Sequence, residues 1–443
     1  MSELEYRKLS CLLLPPISGS RPSGGVRQET DGIPSLGGEN VTQAGGMSYQ
    51  EVRKIPKEYF DLIAKCHLRN EDVLINKDGA QTGKIGLYEG DFHQAAINEH
   101  LFILRAKNAC ELSQIYLYYS LLLSETQSKI QARITGSAQP GLNSSFVKAV
   151  DVPFHAPTEQ KKIASCLRFM DSLINKTATI IAKYQRIKDG LMRDLFTRGV
   201  TEDGKLRPPR DQAPDLYKET PIGWVPQEWA VKPISSSKVE IIDGDRGENY
   251  PQAEDFSSEG FCLFLSTANV SKLGWRFEFT QWINEERDRR LGTGKLVRDD
   301  LVITTRGTVG NIVHYDEAVP YDAVRINSGM VLLRNHEDGF STKFLFYSLR
   351  DFLFEKGRQK AFSGSAQPQL PIKDLKKFQL LIPQPHEQQQ ISKIIYSIDE
   401  LQNAERCLLS KLRRQKSGLM HDLLTGKKSV DNIVLDPPES SHV

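Results

Sequence analysis

The chain repeats itself. Set against its own sequence at an offset of 228 residues, Gly136-Ser137-Ala138-Gln139-Pro140 returns as Gly364-Ser365-Ala366-Gln367-Pro368. Glu159-Gln160 returns as Glu387-Gln388, and Gly190-Leu191-Met192-x-Asp194-Leu195 as Gly418-Leu419-Met420-x-Asp422-Leu423. Upstream, Asp72-Val73-Leu74-Ile75 faces Asp300-Leu301-Val302-Ile303 and Gly79 faces Gly307; Asn98 and Arg105 meet Asn327 and Arg334 at 229, one indel later. A fixed internal offset reveals architecture that local propensity cannot. The two units run roughly 1–200 and 221–428, and 443 residues suffice for two hydrophobic cores or more. Their ends resemble each other closely, whereas residues 1–60 and 230–290 share little beyond Asn40-Val41 against Asn269-Val270. Copies that keep their connectors and change their heads point to docking on one symmetric partner while recognising two different things.

The connectors carry a second periodicity. From Thr158 the apolar positions Ile163, Leu167, Met170, Ile174, Ile181, Tyr184 and Leu191 alternate steps of four and three, with Thr177 and Lys188 filling the gaps. The second copy gives Ile391, Ile395, Ile398, Leu409, Leu412 and Leu419, interrupted by Gln402, Glu405 and Lys416. That spacing is the seam of a coiled coil, in which polar seam residues serve register or partner choice. Pro157-Thr158-Glu159 suits a helix start, and Gly199 and Gly426 suit helix stops. Helices of this extent would be rigid arms of roughly 57 Å; the alternative is an amphipathic helix packed on its own head. The arms carry net charges of +5 and +3 in a chain of +2 overall, which suits an acidic partner or DNA backbone, or simply a solvated basic face. Thr201 to Thr220, with Pro208, Pro209 and Pro214, reads as an exposed linker.

Each head reads as mixed α and β. Val73–Ile75 and Leu301–Ile303 are strand-like runs leading through Lys77-Asp78-Gly79-Ala80-Gln81-Thr82-Gly83-Lys84 and Thr305-Arg306-Gly307-Thr308-Val309-Gly310-Asn311 into Ile85–Tyr88 and Ile312–Tyr315. Further strands at Leu101–Leu104 and Met330–Leu333 precede helices at Ser113–Leu123 and Thr342–Phe354. Strand tips rich in Lys, Arg, Gln, Thr and Asn suit base edges, and their glycines let the backbone approach phosphates, although polar hairpin tips are common. Candidate DNA contacts are therefore Lys77, Asp78, Gly79, Gln81, Thr82 and Lys84 in the first head, and Thr305, Arg306, Gly307, Thr308 and Asn311 in the second. Gln139 and Gln367 join them from the Gly-Ser-Ala-Gln-Pro turns, whose identity suits a shared packing or backbone contact.

Several classes are disfavoured. No apolar run spans a bilayer, no leader is evident, and a cytoplasmic protein is expected. Cys11, Cys66, Cys110, Cys166, Cys262 and Cys407 lack metal or disulfide spacing and are expected to be reduced and structural. Asp436-Pro437-Pro438 is followed by Glu439 where an adenine methyltransferase motif needs an aromatic; Gly79 to Lys84 lacks the spacing and the Ser or Thr of a phosphate loop. His93 and His100 have no partnering ligand pattern.

These residues resemble the specificity subunits of type I restriction-modification systems across nearly the whole chain. The repeated turn, the Pro153 and Pro383 strand ends, the Glu-Gln helix starts and the Gly-Leu-Met-x-Asp-Leu endings are similar to that family's marks. So are Pro221-Ile222-Gly223-Trp224-Val225-Pro226-x-x-Trp229 and Arg306-Gly307-Thr308-Val309-Gly310. The first head lacks the Gly-Trp-x-Pro opening and carries Asn76-Lys77-Asp78 where the second has Thr304-Thr305-Arg306. The resemblance implies an α+β fold in which two mixed α/β target-recognition domains are joined by two long antiparallel coiled-coil helices with a pseudo-twofold repeat. It places recognition domains at 1–155 and 221–385, arms at 156–200 and 386–428, a linker at 201–220 and a polar tail at 429–443. It further implies a non-catalytic chain that reads a split target in double-stranded DNA, its arms fixing the gap. Two modification subunits, which bring S-adenosylmethionine, would dock on it, and restriction subunits would join; this chain would hold no cofactor and no metal. The competing class is a coiled-coil scaffold whose heads bind protein or carbohydrate.

Overall fold

The computed structural model describes residues 4–22, 32–43, 45–136, 140–350 and 369–430. The chain forms two compact units, Met1–Ala178 with Cys407–Val443, and Thr179–Arg406. Each unit contains one head and a stretch of both arms, so the arms are shared between cores instead of forming separate domains.

In the first unit the central sheet is antiparallel, in the order Ile17–Ser18, Leu101–Leu104, Asp72–Asn76, Ile85–Tyr88. Its inner strands carry the unbroken apolar runs Val73–Ile75 and Leu101–Leu104 because both faces are covered. Val73, Ile75, Phe102 and Leu104 meet helix Gln114–Leu122, whereas Leu74, Leu101 and Ile103 meet Leu36, Ile55 and Ile97. The second unit repeats this in the order Val239–Asp243, Met330–Asn335, Leu301–Thr304, Ile312–His314. There Leu301, Ile303, Val331 and Leu333 face one core, and Val302, Met330 and Leu332 the other. Helix Thr342–Ser348 is the counterpart of Gln114–Leu122; the remainder of the expected helix, from residue 351, lies outside the described residues.

The apparent divergence of the heads' first thirds is one of sequence, not of topology. Ile33–Leu36 lies antiparallel to Arg53–Ile55 and parallel to Ala96–Ile97; Cys262–Leu265 lies antiparallel to Trp282–Ile283 and parallel to Val324–Ile326. A sheet needs apolar strands of the right length and phase, and many sequences supply them. Bidentate pairs brace both heads: Arg105 donates to Asp72 at 2.7 and 2.6 Å, and Arg334 to Asp300 at 2.9 and 2.7 Å.

The arms are helices Pro157–Thr197 and Pro385–Leu424. Gly199 and Gly426 follow them with φ of 63° and 70°, the left-handed backbone that ends a helix cheaply only at glycine. Every position of both predicted seams is turned from full exposure: Ile163, Leu167, Thr177, Lys188, Ile391, Ile395, Gln402 and Leu412 are buried, and Met170, Ile174, Ile181, Tyr184, Leu191, Ile398, Glu405, Leu409, Lys416 and Leu419 partly so. In the first unit Ile163 and Leu167 share a core with Leu423 and Leu424; in the second, Met192 and Leu195 share one with Ile391 and Ile395. The start of one arm thus packs beside the end of the other in each unit, which makes the pairing antiparallel. Two cross-arm ion pairs are repeat equivalents: Lys416 to Asp171 at 2.5 Å in the first unit, and Lys188 to Asp399 at 2.9 Å in the second.

Residues 201–220 are exposed over most of their length but are tied into the fold at two buried residues, Arg207 and Tyr217. Arg207 is 8% exposed, donates to Glu387, and accepts through its carbonyl from Arg198. Tyr217–Thr220 pairs with Gly223–Pro226, so the expected boundary at 221 falls inside a hairpin. The tail likewise begins inside the fold, with Val430 in the first core; residues 431–443 lie outside the described ones. Cys66 and Cys262 are buried, whereas Cys11, Cys110 and Cys407 are exposed and take no part in a core, contrary to a uniformly structural role; all are free thiols.

Candidate functional site

Both heads set a glycine loop between their two central strands, at 77–84 and 305–311. Gly79 and Gly307 occupy equivalent places with φ of 78° and 68°. A Cβ at Gly79 would meet nothing within 4 Å, and at Gly307 only Thr267 Oγ1 at 3.7 Å. The glycines are required by backbone conformation and not by crowding, and they leave an open face.

Each loop is braced from the residues that follow the repeated turn. In the first head Gly79 N–H donates to Pro140 O at 3.0 Å and Leu142 N–H to Lys77 O at 2.6 Å; in the second, Leu370 N–H donates to Thr305 O at 2.9 Å and Arg306 bridges Gln369. These bonds hold each loop from the residues at and after the described end of the repeated turn. Gln139 and Gln367 themselves lie outside the described residues.

Several of the candidate contacts are bonded within the fold. Thr82 is buried and donates to Gly79 O and Pro140 O; Thr305 is buried and donates to Gly329 O; Asn311 donates to Val270 O at 3.0 Å. Lys77 donates to Ser18 Oγ at 2.9 Å, and Asp78 lies 2.6 Å from His100 Nδ1. Gln81 keeps Oε1 buried with no hydrogen-bond partner, and Lys84 is half-buried. What remains exposed is Gly79 with Ala80 in one head, and Arg306, Gly307 and Thr308 in the other. Polar residue type alone does not distinguish a loop's own braces from its outward groups.

Sequence reasoning also missed a second element beside the loop. Val270–Ser271 and Gly274–Trp275 form a short hairpin, fastened to the central sheet by Asn311 and by Trp275 Nε1 donating to His314 O at 2.8 Å. It lies under a buried asparagine: Asn269 Oδ1 accepts from Ser266 N–H, and its Nδ2 donates to Arg276 O and Phe279 O. In the first head Asn40 accepts from Gly37 N–H and donates to Ser48 O and Glu51 O. The Asn-Val match was the available signal. Lys272 and Arg276 on the hairpin, Arg306 on the loop and Arg350, which donates to Lys272 O at 2.6 Å, put basic groups around one edge.

Buried titratable groups in the second head are structural. Burial opposes the charge of Asp288, but Lys295 and Arg325, donating at 2.5 Å each, outweigh it and hold the carboxyl below its ordinary range. Burial also pushes the Cys262 thiol up to about 12, too high for a nucleophile near neutrality. No helix among the described residues is long and apolar enough to cross a membrane.

The chain is similar to known proteins in sequence and in fold. The family model for the type I restriction modification DNA specificity domain matches twice, at residues 17–188 and 242–412. Among curated relatives, the type I restriction enzyme MjaVIII specificity subunit of Methanocaldococcus jannaschii is 26% identical over 94% of this chain and 91% of its own length. The putative MjaX specificity subunit of the same organism is 27% identical over 82% and 80%. Among solved structures, the type I S subunit from M. genitalium has a TM-score of 0.59 at 16% identity, covering 96% of this chain and 97% of that one. A chain from a structure concerned with assembly and conformational transition of the type I R-M system gives 0.52 at 15%, covering 97% and 99%. With two matched domains, each built on the same braced loop, the chain belongs to the specificity subunits of type I restriction-modification systems.

Proposed function

We propose that each head reads one half of a split target in double-stranded DNA and that the chain does no chemistry itself. The observation that carries this reading is the pair of equivalent braced loops: one scaffold presents Gly79 and Ala80 in the first head but Arg306, Gly307 and Thr308 in the second. Identical supports with different exposed chemistry suit two different half-sites. Arg306 is the group best able to grip guanine in a bidentate manner. In this reading the chain works in the cytoplasm, two modification subunits dock on it and bring S-adenosylmethionine for adenine methylation, and restriction subunits join the complex.

The test is sequencing of methylated adenines in cells with and without this chain. One bipartite motif should vanish on deletion. The purified complex with modification subunits should protect two separated half-sites, less so as salt rises. An unchanged methylation pattern, together with no protected DNA, overturns the reading.

A further inference from the structure

We propose that Leu273, at the tip of the second head's hairpin, is an apolar wedge that enters the bound DNA and unstacks one base step; this rests on the DNA-reading role above. Leu273 is 68% exposed, yet its backbone is held. Ser271 Oγ accepts from Leu273 N–H at 3.2 Å and donates to Gly274 O at 2.8 Å, and Gly274 turns the chain with a φ of 124°. A large apolar side chain fixed outward at a two-residue tip gains nothing from the core, and the order of the tip keeps it from folding back.

Its surroundings name the occupant. Lys272 and Arg276 flank the tip, and Arg350 grips Lys272 O from the side. Arg306 is on the neighbouring loop, whose Asn311 is bonded to the hairpin strand itself. Among the described residues Glu278 stands 3.5 Å from Arg276. A leucine set among guanidinium and ammonium groups fits a polyanion with an apolar interior, which is a base stack behind phosphates. A protein groove would favour the leucine but not the basic rim.

The comparison between heads sharpens the assignment. The asparagine hub that anchors the hairpin is the same in both, with Asn40 and Asn269 each accepting one backbone N–H and donating to two carbonyls. In the first head the strand after the hub bridges Val41 to Met47, and Thr42 Oγ1 braces Gly46 as Ser271 braces the second tip. The sequence between them is Gln43-Ala44-Gly45-Gly46, with no large apolar residue. The support is retained while the tip differs, and a wedge is therefore expected only on the half-site read by the second head.

Once the target is known, 2-aminopurine is placed in turn at each position of that half-site. Fluorescence is followed as the complex of the full chain with modification subunits binds. The expected result is an enhanced signal at one step away from the methylated adenine. Leu273→Ala abolishes that signal and weakens binding roughly tenfold, while Leu273→Met retains both and the signal at the methylated adenine persists. Because Leu273 is exposed, thermal melting of both variants should match the parent. An unaltered signal in Leu273→Ala, or no unstacked step in the parent, overturns the wedge while DNA binding continues to support the underlying reading. Absence of DNA binding by the parent complex sinks both.

Discussion

Glu159 and Glu387 are one residue type at one place in the repeat, and their surroundings give them different roles. Glu159 Oε2 accepts from Ala156 N–H at 3.0 Å on the helix's exposed start. Glu387 is buried, faces Arg207, and accepts from Val200 N–H at 2.8 Å and Trp229 Nε1 at 3.0 Å. Removing it unpairs the buried Val200 and Trp229 N–H groups and leaves Arg207 facing Glu228 at 3.2 Å, so Glu387→Ala should cost about 3 kcal/mol, whereas Glu159→Ala should cost about 1 kcal/mol. Denaturant unfolding measures both, and equal losses would contradict the assignment. Nearby, His155 Nδ1 lies 2.7 Å from the Tyr116 hydroxyl, which donates to Pro153 O. Burial holds the imidazole below its ordinary value, with Glu159 opposing. Folding then favours the neutral ring, so its contribution is complete above the unfolded value of about 6.5 and is lost as pH falls below it. Melting temperature between pH 7.5 and 5 should fall less in His155→Gln than in the parent; parallel curves would refute this.

At the scale of elements, Gln160 and Gln388 explain why the Glu-Gln pair repeats. Gln160 Oε1 accepts from Ser113 N–H while its Nε2 donates to His155 O and Glu111 O; Gln388 does the same with Ser341 N–H, Pro383 O and Gly339 O. Each clamps an arm's first turn to its head, a role hidden from a sequence that showed only a helix start. Along the arms, Thr177, Lys188 and Gln402 are buried at heptad positions among apolar residues, and heptad spacing reports which side of a helix avoids water. Lys188 is buried opposite Asp399, so Asp399→Ala should destabilise by about 3–5 kcal/mol, and Lys188→Met with Asp399→Leu should recover most of the loss. A double variant as unstable as the single would show that the pair supplies more than charge compensation.

For the whole molecule, the consequence of two equivalent heads is separable error. Arg306→Ala should weaken discrimination at one position of one half-site by about 1–3 kcal/mol and leave the other half intact, as read from methylated-adenine sequencing. Relaxation in both halves would contradict one head per half-site. The sequence by itself determined the duplication, the heptad seams, the central strands and the loop glycines, because each is a periodicity or a backbone requirement written in local residue types. Tertiary structure decided which polar loop residues face outward, that Arg207 is buried against Glu387, and that both arms are shared between two cores. Those outcomes depend on which distant groups satisfy each buried donor and acceptor, and partners as far apart as Arg207 and Glu387 leave no mark on one another's local sequence.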